Sequence, residues 1–177
     1  MDRHHPLRQR GLSLFESMIA TAVMGTMVAT AAPAVAKALN AAQLSSASSG
    51  LIASIQAARS EAITRGQRVV IAAREPGDWA SGWRTFVDAN DNGSFDSGET
   101  LLREAAALDR QIKVESAFGK TYRGDVLSFD ATGVARRPGG NGLVLGRIVL
   151  TSDGAHQTLC FSSLAVRSTR ADKCERA

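Results

Sequence analysis

Near the N-terminal end of the chain, twenty consecutive residues between Glu16 and Lys37 carry no charged side chain. A helix rises about 1.5 Å per residue, so this segment would span roughly 30 Å, the thickness of the hydrocarbon core of a bilayer. Basic residues precede it, and the positive-inside bias therefore predicts a single span with the C-terminal part outside the cytoplasm. The pattern indicates a membrane segment and leaves the acidic Glu16 at its edge to be explained.

Beyond Lys37 apolar residues recur at steps of three and four, which predicts an amphipathic helix with one buried stripe. The stripe consists of Leu44, Ala47, Leu51, Ile55, Ala58 and Ala62. The opposite, polar face carries Gln43, Ser45, Ser49, Gln56, Arg59 and Ser60. Gly66 is a candidate C-cap, so we predict one long helix from about Leu12 to Arg65. Pro33 should kink it, because proline removes a helix hydrogen bond.

After Gly66 the pattern changes to short runs rich in β-branched and aromatic residues, which predict strands. These runs cover residues 68–73, 83–88, 126–129, 147–152 and 157–162. Asp153 and Gly154 separate the last two runs and are a turn pair typical of a β-hairpin. One helix followed by antiparallel strands predicts an α+β fold, in which a sheet packs against the helix stripe together with Trp79 and Trp83.

Composition predicts one modest domain beyond the membrane segment, since the chain has 177 residues. The net charge is +4, and the basic excess lies in residues 134–177, which hold seven basic and three acidic side chains. The two cysteines, Cys160 and Cys174, are too few for a tetrahedral metal cluster. Outside the cytoplasm we expect them to form a disulfide that stabilises the chain by roughly 3 kcal/mol. Two buried thiols are the alternative.

The N-terminal segment also fits two simple explanations. A cleaved secretory signal would use the first ten residues as its charged region and a small-residue cut site that ends at Ala36. A plain membrane anchor would need no cut. Glu16 argues against both, because an ionised carboxylate would interrupt the apolar region of a signal and has no role in an anchor.

A third explanation accounts for Glu16, because the segment resembles the prepilin leader of type IV pilins and type II secretion pseudopilins. A short basic leader ends at Gly11, and Leu12 follows where the family usually has phenylalanine. The resemblance implies that prepilin peptidase cuts between Gly11 and Leu12, and that Leu12 is then N-methylated. It also implies that Glu16 pairs with the N-terminal amine of a neighbouring subunit during assembly. Pro33 stands where many pilins kink their helix.

The part of the chain beyond the helix resembles the GspH/FimT group of pseudopilins and minor pilins. The shared features are a Gly-Trp-x-x-Phe strand at residues 82–86, an Asp/Asn/Gly loop, and a Gly-Glu-x-Leu-Leu return strand at residues 98–102. The resemblance implies a type IV pilin-like fold and a structural subunit, not an enzyme, of a type II secretion system or a type IV pilus. Such a subunit helps to initiate or cap the fibre, and its partners are other pilin-type subunits and the inner-membrane assembly platform.

The resemblance also divides the chain into four segments. They are the leader (1–11), the transmembrane and assembly half of the helix (12–36), the amphipathic half of the helix (37–66) and a β-rich head domain (67–177). Removal of the leader would give a mature subunit that begins at Leu12. It would cross the bacterial inner membrane once and carry its head in the periplasm.

The loop between the two shared strands, "DANDNGSFDSGE" at residues 88–99, also has the spacing of an EF-hand calcium loop. Its ligands would be Asp88, Asn90, Asn92, Asp96 and Glu99. An EF-hand needs a helix on each side, whereas both flanks here predict strands. We therefore favour a hairpin loop whose Asp and Asn side chains bond to the local backbone, with calcium as the alternative and no other cofactor expected.

Some FimT-type minor pilins act in DNA uptake, an activity associated with a Gly-Arg-x-Arg motif near the C-terminus. This chain holds Arg167 and Arg170 without the Gly-Arg pair, and Arg136 and Arg137 lie on a predicted loop. If the chain binds DNA, these arginines predict salt-dependent contacts with phosphates. We favour a solvated charged surface. No catalytic constellation is evident around His156, which is the only histidine after the leader.

Overall fold

The computed structural model describes residues 13–118, 126–140, 142–162, 164–171 and Cys174. In this part of the chain one α-helix is followed by nine β-strands. Helix α1 (Leu14–Arg65) contains Pro33 and confirms the predicted long helix. Gly66 follows with φ +62° and donates its N–H to the Ile63 carbonyl oxygen, as a C-cap does.

The strands form two antiparallel sheets. In chain order they are β1 (Val69–Glu75), β2 (Asp78–Val87), β3 (Leu101–Ala105), β4 (Lys113–Phe118), β5 (Val126–Phe129), β6 (Ala135–Arg136), β7 (Gly146–Ser152), β8 (Ala155–Phe161) and β9 (Val166–Thr169). The first sheet has the order β3-β2-β1-β5-β6, and the second has the order β4-β7-β8-β9. The α+β class with an antiparallel head is therefore confirmed, although the sequence did not predict that the strands divide into two sheets.

The strands that the sequence predicted correctly are those with a clear apolar pattern. Strand β5 has the predicted bounds, and β7 and β8 form the predicted hairpin around Asp153 and Gly154, whose φ angles are +46° and +76°. Strands β4, β6 and β9 were not predicted. Strand β6 has only two residues, and β4 and β9 are short and half exposed, so burial imposes little pattern on their sequences.

The chain forms two compact units, Met1–Leu39 and Asn40–Ala177. The core of the second unit contains residues of the helix and of both sheets. Its main members on the helix are Leu44, Leu51, Ile55, Ala58 and Ala62, which confirms the predicted stripe. Ala47 is partly buried against this core, and Ser48 is buried as well. Trp79 and Trp83 are 1% and 5% exposed, as expected for core residues.

The polar face of the helix departs from prediction at Arg59, which is partly buried. Its Nε donates to the Gly133 carbonyl oxygen at 2.6 Å, and its Nη1 donates to the Leu164 carbonyl oxygen at 2.5 Å. The guanidinium lies 5.8 Å from the centre of the Phe129 ring. Arg59 therefore holds the turn after β5 and the turn after β8 against the helix, a role that helical spacing alone does not indicate.

Candidate functional site

The described part of the first unit, residues 13–39, presents an apolar helix surface. Every residue in it is exposed. The large apolar side chains on this surface are Leu14, Phe15, Met18, Ile19, Val23, Met24, Met27, Val28, Val35 and Leu39. By length and composition this stretch of helix could cross a membrane. Such a surface is stable only against lipid or against other apolar protein surfaces.

The hydroxyl groups of this segment bond to their own helix. Ser17, Thr21, Thr26 and Thr30 each donate to a backbone carbonyl oxygen three residues earlier, at 2.8 to 3.0 Å. Polar groups that face hydrocarbon must be satisfied internally, and these bonds meet that requirement. Glu16 is the one ionisable side chain between Ser13 and Ala36, and it is therefore the polar group of this segment that most needs a partner.

Glu16 lies in the first turn of the helix, and Ser13 caps that turn. The Ser13 Oγ accepts the Glu16 backbone N–H at 3.2 Å, which makes Ser13 the N-cap and Glu16 the third helical residue. The Ser-x-x-Glu spacing is that of a capping box, a signal by which the sequence could have predicted this cap. The positive end of the helix dipole also favours a carboxylate at this place. The predicted cut site, Gly11 and Leu12, lies outside the described residues.

In the second unit, the Asp/Asn loop connects β2 to β3, so both of its flanks are strands, as predicted. The carboxylate of Asp88, which is 3% exposed, accepts the backbone N–H groups of Asn92 at 3.2 Å and Gly93 at 2.9 Å. Burial raises the pKa of Asp88, against these hydrogen bonds. Asp96 Oδ2 accepts from the side-chain amides of Asn90 and Asn92, which lowers the pKa of Asp96.

The fifth candidate calcium ligand, Glu99, is engaged in the same way. Its Oε1 accepts the Ala89 N–H and its Oε2 accepts the Asp96 N–H, both at 3.1 Å. The loop side chains thus bond to the local backbone and to each other, which is the arrangement expected of the hairpin interpretation. Among the residues that the structure describes, no group of three or more His, Cys, Asp or Glu residues is placed to hold a metal ion.

The four candidate DNA-binding arginines lie in or directly after the edge strands of two different sheets. Arg136 is in β6 and Arg137 follows it, whereas Arg167 is in β9 and Arg170 follows that strand. The Arg136 Nε donates to Asp130 Oδ2 at 2.5 Å. Burial opposes ionisation of Asp130, but the Thr132 hydroxyl, Arg136 and backbone N–H groups together lower its pKa to about 2. At least Arg136 therefore already has an acidic partner.

Cys160 and Cys174 form the expected disulfide, which ties the chain beyond β9 to β8. Their separation of 14 residues closes a short loop. His156 lies in β8, and its Nε2 is 2.7 Å from the Arg170 carbonyl oxygen. The histidine thus contacts the backbone just after β9.

The comparisons with known proteins agree on one group. The sequence model of the family "Type II transport protein GspH" matches residues 47–165. A crystal structure of the type IV minor pilin FimU from Pseudomonas aeruginosa PAO1 is similar, with a TM-score of 0.55, 23% identity, and coverage of 70% of this chain and 86% of FimU. The minor pseudopilin EpsH from the Type 2 Secretion System of Vibrio cholerae is similar with a TM-score of 0.51, 9% identity, and coverage of 72% and 96%. No curated protein matches the chain in sequence.

Proposed function

Because this chain belongs to the type II transport protein GspH family, we propose that it is a minor pseudopilin or minor pilin. The observation that carries the proposal is the apolar helix surface of residues 13–39, which is continuous in one helix with the packed part of the second unit. A surface of this kind can lie in lipid before assembly and against sister helices after it. The function is that of a structural subunit.

The finer features of the proposal come from the N-terminal sequence. Prepilin peptidase would cut between Gly11 and Leu12, and Leu12 would become the methylated N-terminus. The subunit would then be held in the inner membrane by one span, with its head in the periplasm. Its partners would be other pilin-type subunits and the assembly platform of a type II secretion system or a type IV pilus.

Glu16 is the assembly residue in this proposal. Glu16 lies in the first turn of the helix, about one turn after the proposed new N-terminus at Leu12. Its carboxylate would therefore be close to the N-terminal end of the helix, where an adjacent subunit would pack. A carboxylate in an apolar bundle is costly unless an opposite charge neutralises it, and the N-terminal amine of a neighbour supplies that charge. Pairing of the two groups would therefore fix the register between subunits.

The test is Glu16→Ala in the full chain, expressed with its companion subunits. We expect membrane retention to be unchanged and incorporation into the fibre to fall by roughly tenfold or more. The reason is that the buried N-terminal amine of the neighbouring subunit loses its carboxylate partner. Glu61→Ala is the matched control, since Glu61 lies on the same helix and forms only an exposed pair with Arg65. Unchanged incorporation of the Glu16 variant would contradict the proposal.

Mass spectrometry of the mature chain tests the cut itself. A mature N-terminus at Leu12 carrying one added methyl group supports the pilin function. A terminus at Lys37 would instead identify a secretory signal, and an uncut chain would identify a plain anchor. DNA uptake is the less supported function, because the four candidate arginines are divided between two sheets and Arg136 is paired with Asp130.

A further inference from the structure

A cavity of about 400 Å³ lies on the face of the first sheet that carries Arg84 and Phe86. Ala72 pairs with Arg84 across β1 and β2, so the two side chains lie on the same face of the sheet. Together with Phe86 they form the floor of the cavity. The walls are the loop after β2 and the residues after β6, among them Pro138. The volume lies within the range of about 300 to 1,000 Å³ that is usual for ligand sites. We refer to this feature as the arginine cavity.

The two walls are fastened to each other and to the sheet. Asp91 Oδ1 accepts the Gly139 N–H at 3.0 Å and lies 2.8 Å from Arg68 Nε. Gly93 adopts φ +73° and packs so closely on Pro138 that a Cβ at this position would lie 2.6 Å from the Pro138 Cγ. The arginine cavity is therefore a fixed part of the fold and not an accidental gap between loose loops.

The arginine cavity has an excess of positive charge. Among the residues that the structure describes, its lining contains Arg74, Arg84 and Arg137 and no acidic residue. Just outside the lining, Glu104 Oε1 accepts from Arg84 Nε at 3.0 Å and forms a salt bridge with Arg74, whose Nε lies 3.2 Å away. The guanidinium groups of Arg74 and Arg84 thus share one carboxylate, and charge-assisted contacts with carboxylates are among the strongest that a guanidinium group makes.

Two of the arginines retain donors for a further anion. Within the described part of the chain, the Nη groups of Arg74 and Arg84 donate to no acceptor, and the two side chains are 40% and 35% exposed. The planar guanidinium group presents two parallel N–H donors to a carboxylate, so a second carboxylate can bind without displacing Glu104. The cavity can therefore accept an acidic side chain from outside.

We propose that the arginine cavity binds an aspartate or glutamate side chain in a peptide segment of a neighbouring fibre subunit, an inference that rests on the proposed function. The apolar part of the lining, which includes Ala72, Phe86, Val126 and Pro138, suits the aliphatic stem of that residue or an apolar neighbour. A nucleic acid strand fits less well. It requires a continuous basic groove with several exposed aromatic surfaces for base stacking. In the described lining Phe86 is buried, and Phe95, which packs on it with ring centroids 5.2 Å apart, is the one exposed aromatic ring.

The test measures binding of acetyl-Leu-Glu-Glu-Leu-amide to the full chain in detergent micelles, with acetyl-Leu-Gln-Gln-Leu-amide as the uncharged probe. We expect preferential binding of the acidic peptide and shifts of the Ala72 and Val126 methyl NMR signals. Arg74→Gln should weaken binding by about tenfold, because one charge-assisted contact is lost. Arg103→Gln is the matched control, since Arg103 is next to Glu104 on β3 and strand alternation places it on the opposite face.

Equal binding of the two peptides, or equal loss in the Arg74 and Arg103 variants, would overturn the inference. Tighter binding of hexathymidylate than of the acidic peptide, with the same loss in Arg74→Gln, would assign the arginine cavity to nucleic acid and also overturn it. Neither outcome affects the Glu16 assay, because peptide binding to the single chain needs no fibre. Failure of the cavity and failure of the proposed function are thus separate results.

Discussion

At the level of single residues, Gly82 lies inside β2 and is the glycine of the Gly-Trp-x-x-Phe motif. It has φ +94°, a conformation that strongly favours glycine. A Cβ at this position would meet the Ala105 carbonyl oxygen and would lie 2.8 Å from the Ala106 carbonyl carbon. These are backbone atoms of β3 and the loop that follows it, so they cannot move aside as a flexible side chain can. Gly82 thus permits the close approach of β2 and β3.

Gly82→Ala should therefore lower the free energy of unfolding by about 3 kcal/mol, through strain at positive φ and displacement of the β3 backbone. Gly77→Ala is the matched control, since Gly77 also has positive φ but a Cβ added there would have no neighbouring atom within 4 Å. The control isolates dihedral strain from steric clash. Urea unfolding of both variants measures the difference, and equal destabilisation would show that the approach of the β3 backbone contributes nothing.

The sequence predicted the roles of some single residues and not of others. The buried stripe of the helix and Gly66 could be predicted, because helical periodicity and capping are local rules. Arg59 could not, because its two carbonyl acceptors are more than seventy residues away along the chain. The cluster of Arg74, Arg84 and Glu104 could not either, since it depends on the register of β1 and β2 with β3.

At the level of elements, the turn between β5 and β6 is organised by one carboxylate. Asp130 Oδ1 accepts the backbone N–H groups of Thr132 at 2.9 Å and Val134 at 3.1 Å, and Oδ2 accepts from Arg136. These bonds stabilise the ionised form and hold the pKa of Asp130 at about 2. The turn therefore depends on ionisation of this group.

Because the folded-state pKa of Asp130 is below its ordinary value of 3.8, its stabilising contribution is present above pH 4 and is lost as the pH falls toward 2. We expect Asp130→Asn to lower the free energy of unfolding by roughly 1 to 2 kcal/mol at pH 6. The difference from the parent protein should shrink between pH 4 and pH 2. Urea unfolding across this pH range is the measurement, and a difference that stays constant would contradict the assigned role.

At the level of the whole molecule, the chain divides at Leu39 and Asn40 into two units. The hydrophobic core contains no residue before Leu44 among those that the structure describes. The sequence placed the end of the uncharged segment at Ala36 and the start of the stripe at Leu44, and the division into four segments stays a prediction. It did not predict the second sheet, whose edge strands β4 and β9 carry mixed polar sequences that only pairing with β7 and β8 makes into strands.

A fragment that begins at Asn40 should therefore fold alone, because it retains the whole core and the disulfide. We expect cooperative thermal unfolding with a midpoint within about 5 °C of that of the full chain in detergent. Circular dichroism of the two proteins provides the comparison. Broad, non-cooperative unfolding of the fragment would mean that residues before Asn40 contribute to the stability of the second unit.

Under the proposed function, the hydroxyl bonds of the first unit affect how easily this helix moves from the membrane into a fibre. The hydroxyl groups of Thr21, Thr26 and Thr30 donate to the backbone of their own helix. These three groups therefore need no hydrogen-bond partner from lipid or from a neighbouring helix. Lateral transfer of the helix from lipid to a bundle of apolar helices then changes the solvation of this surface very little. The exception is the carboxylate of Glu16. The free energy of moving the helix out of the bilayer should therefore depend more on neutralisation of Glu16 than on the length of the span.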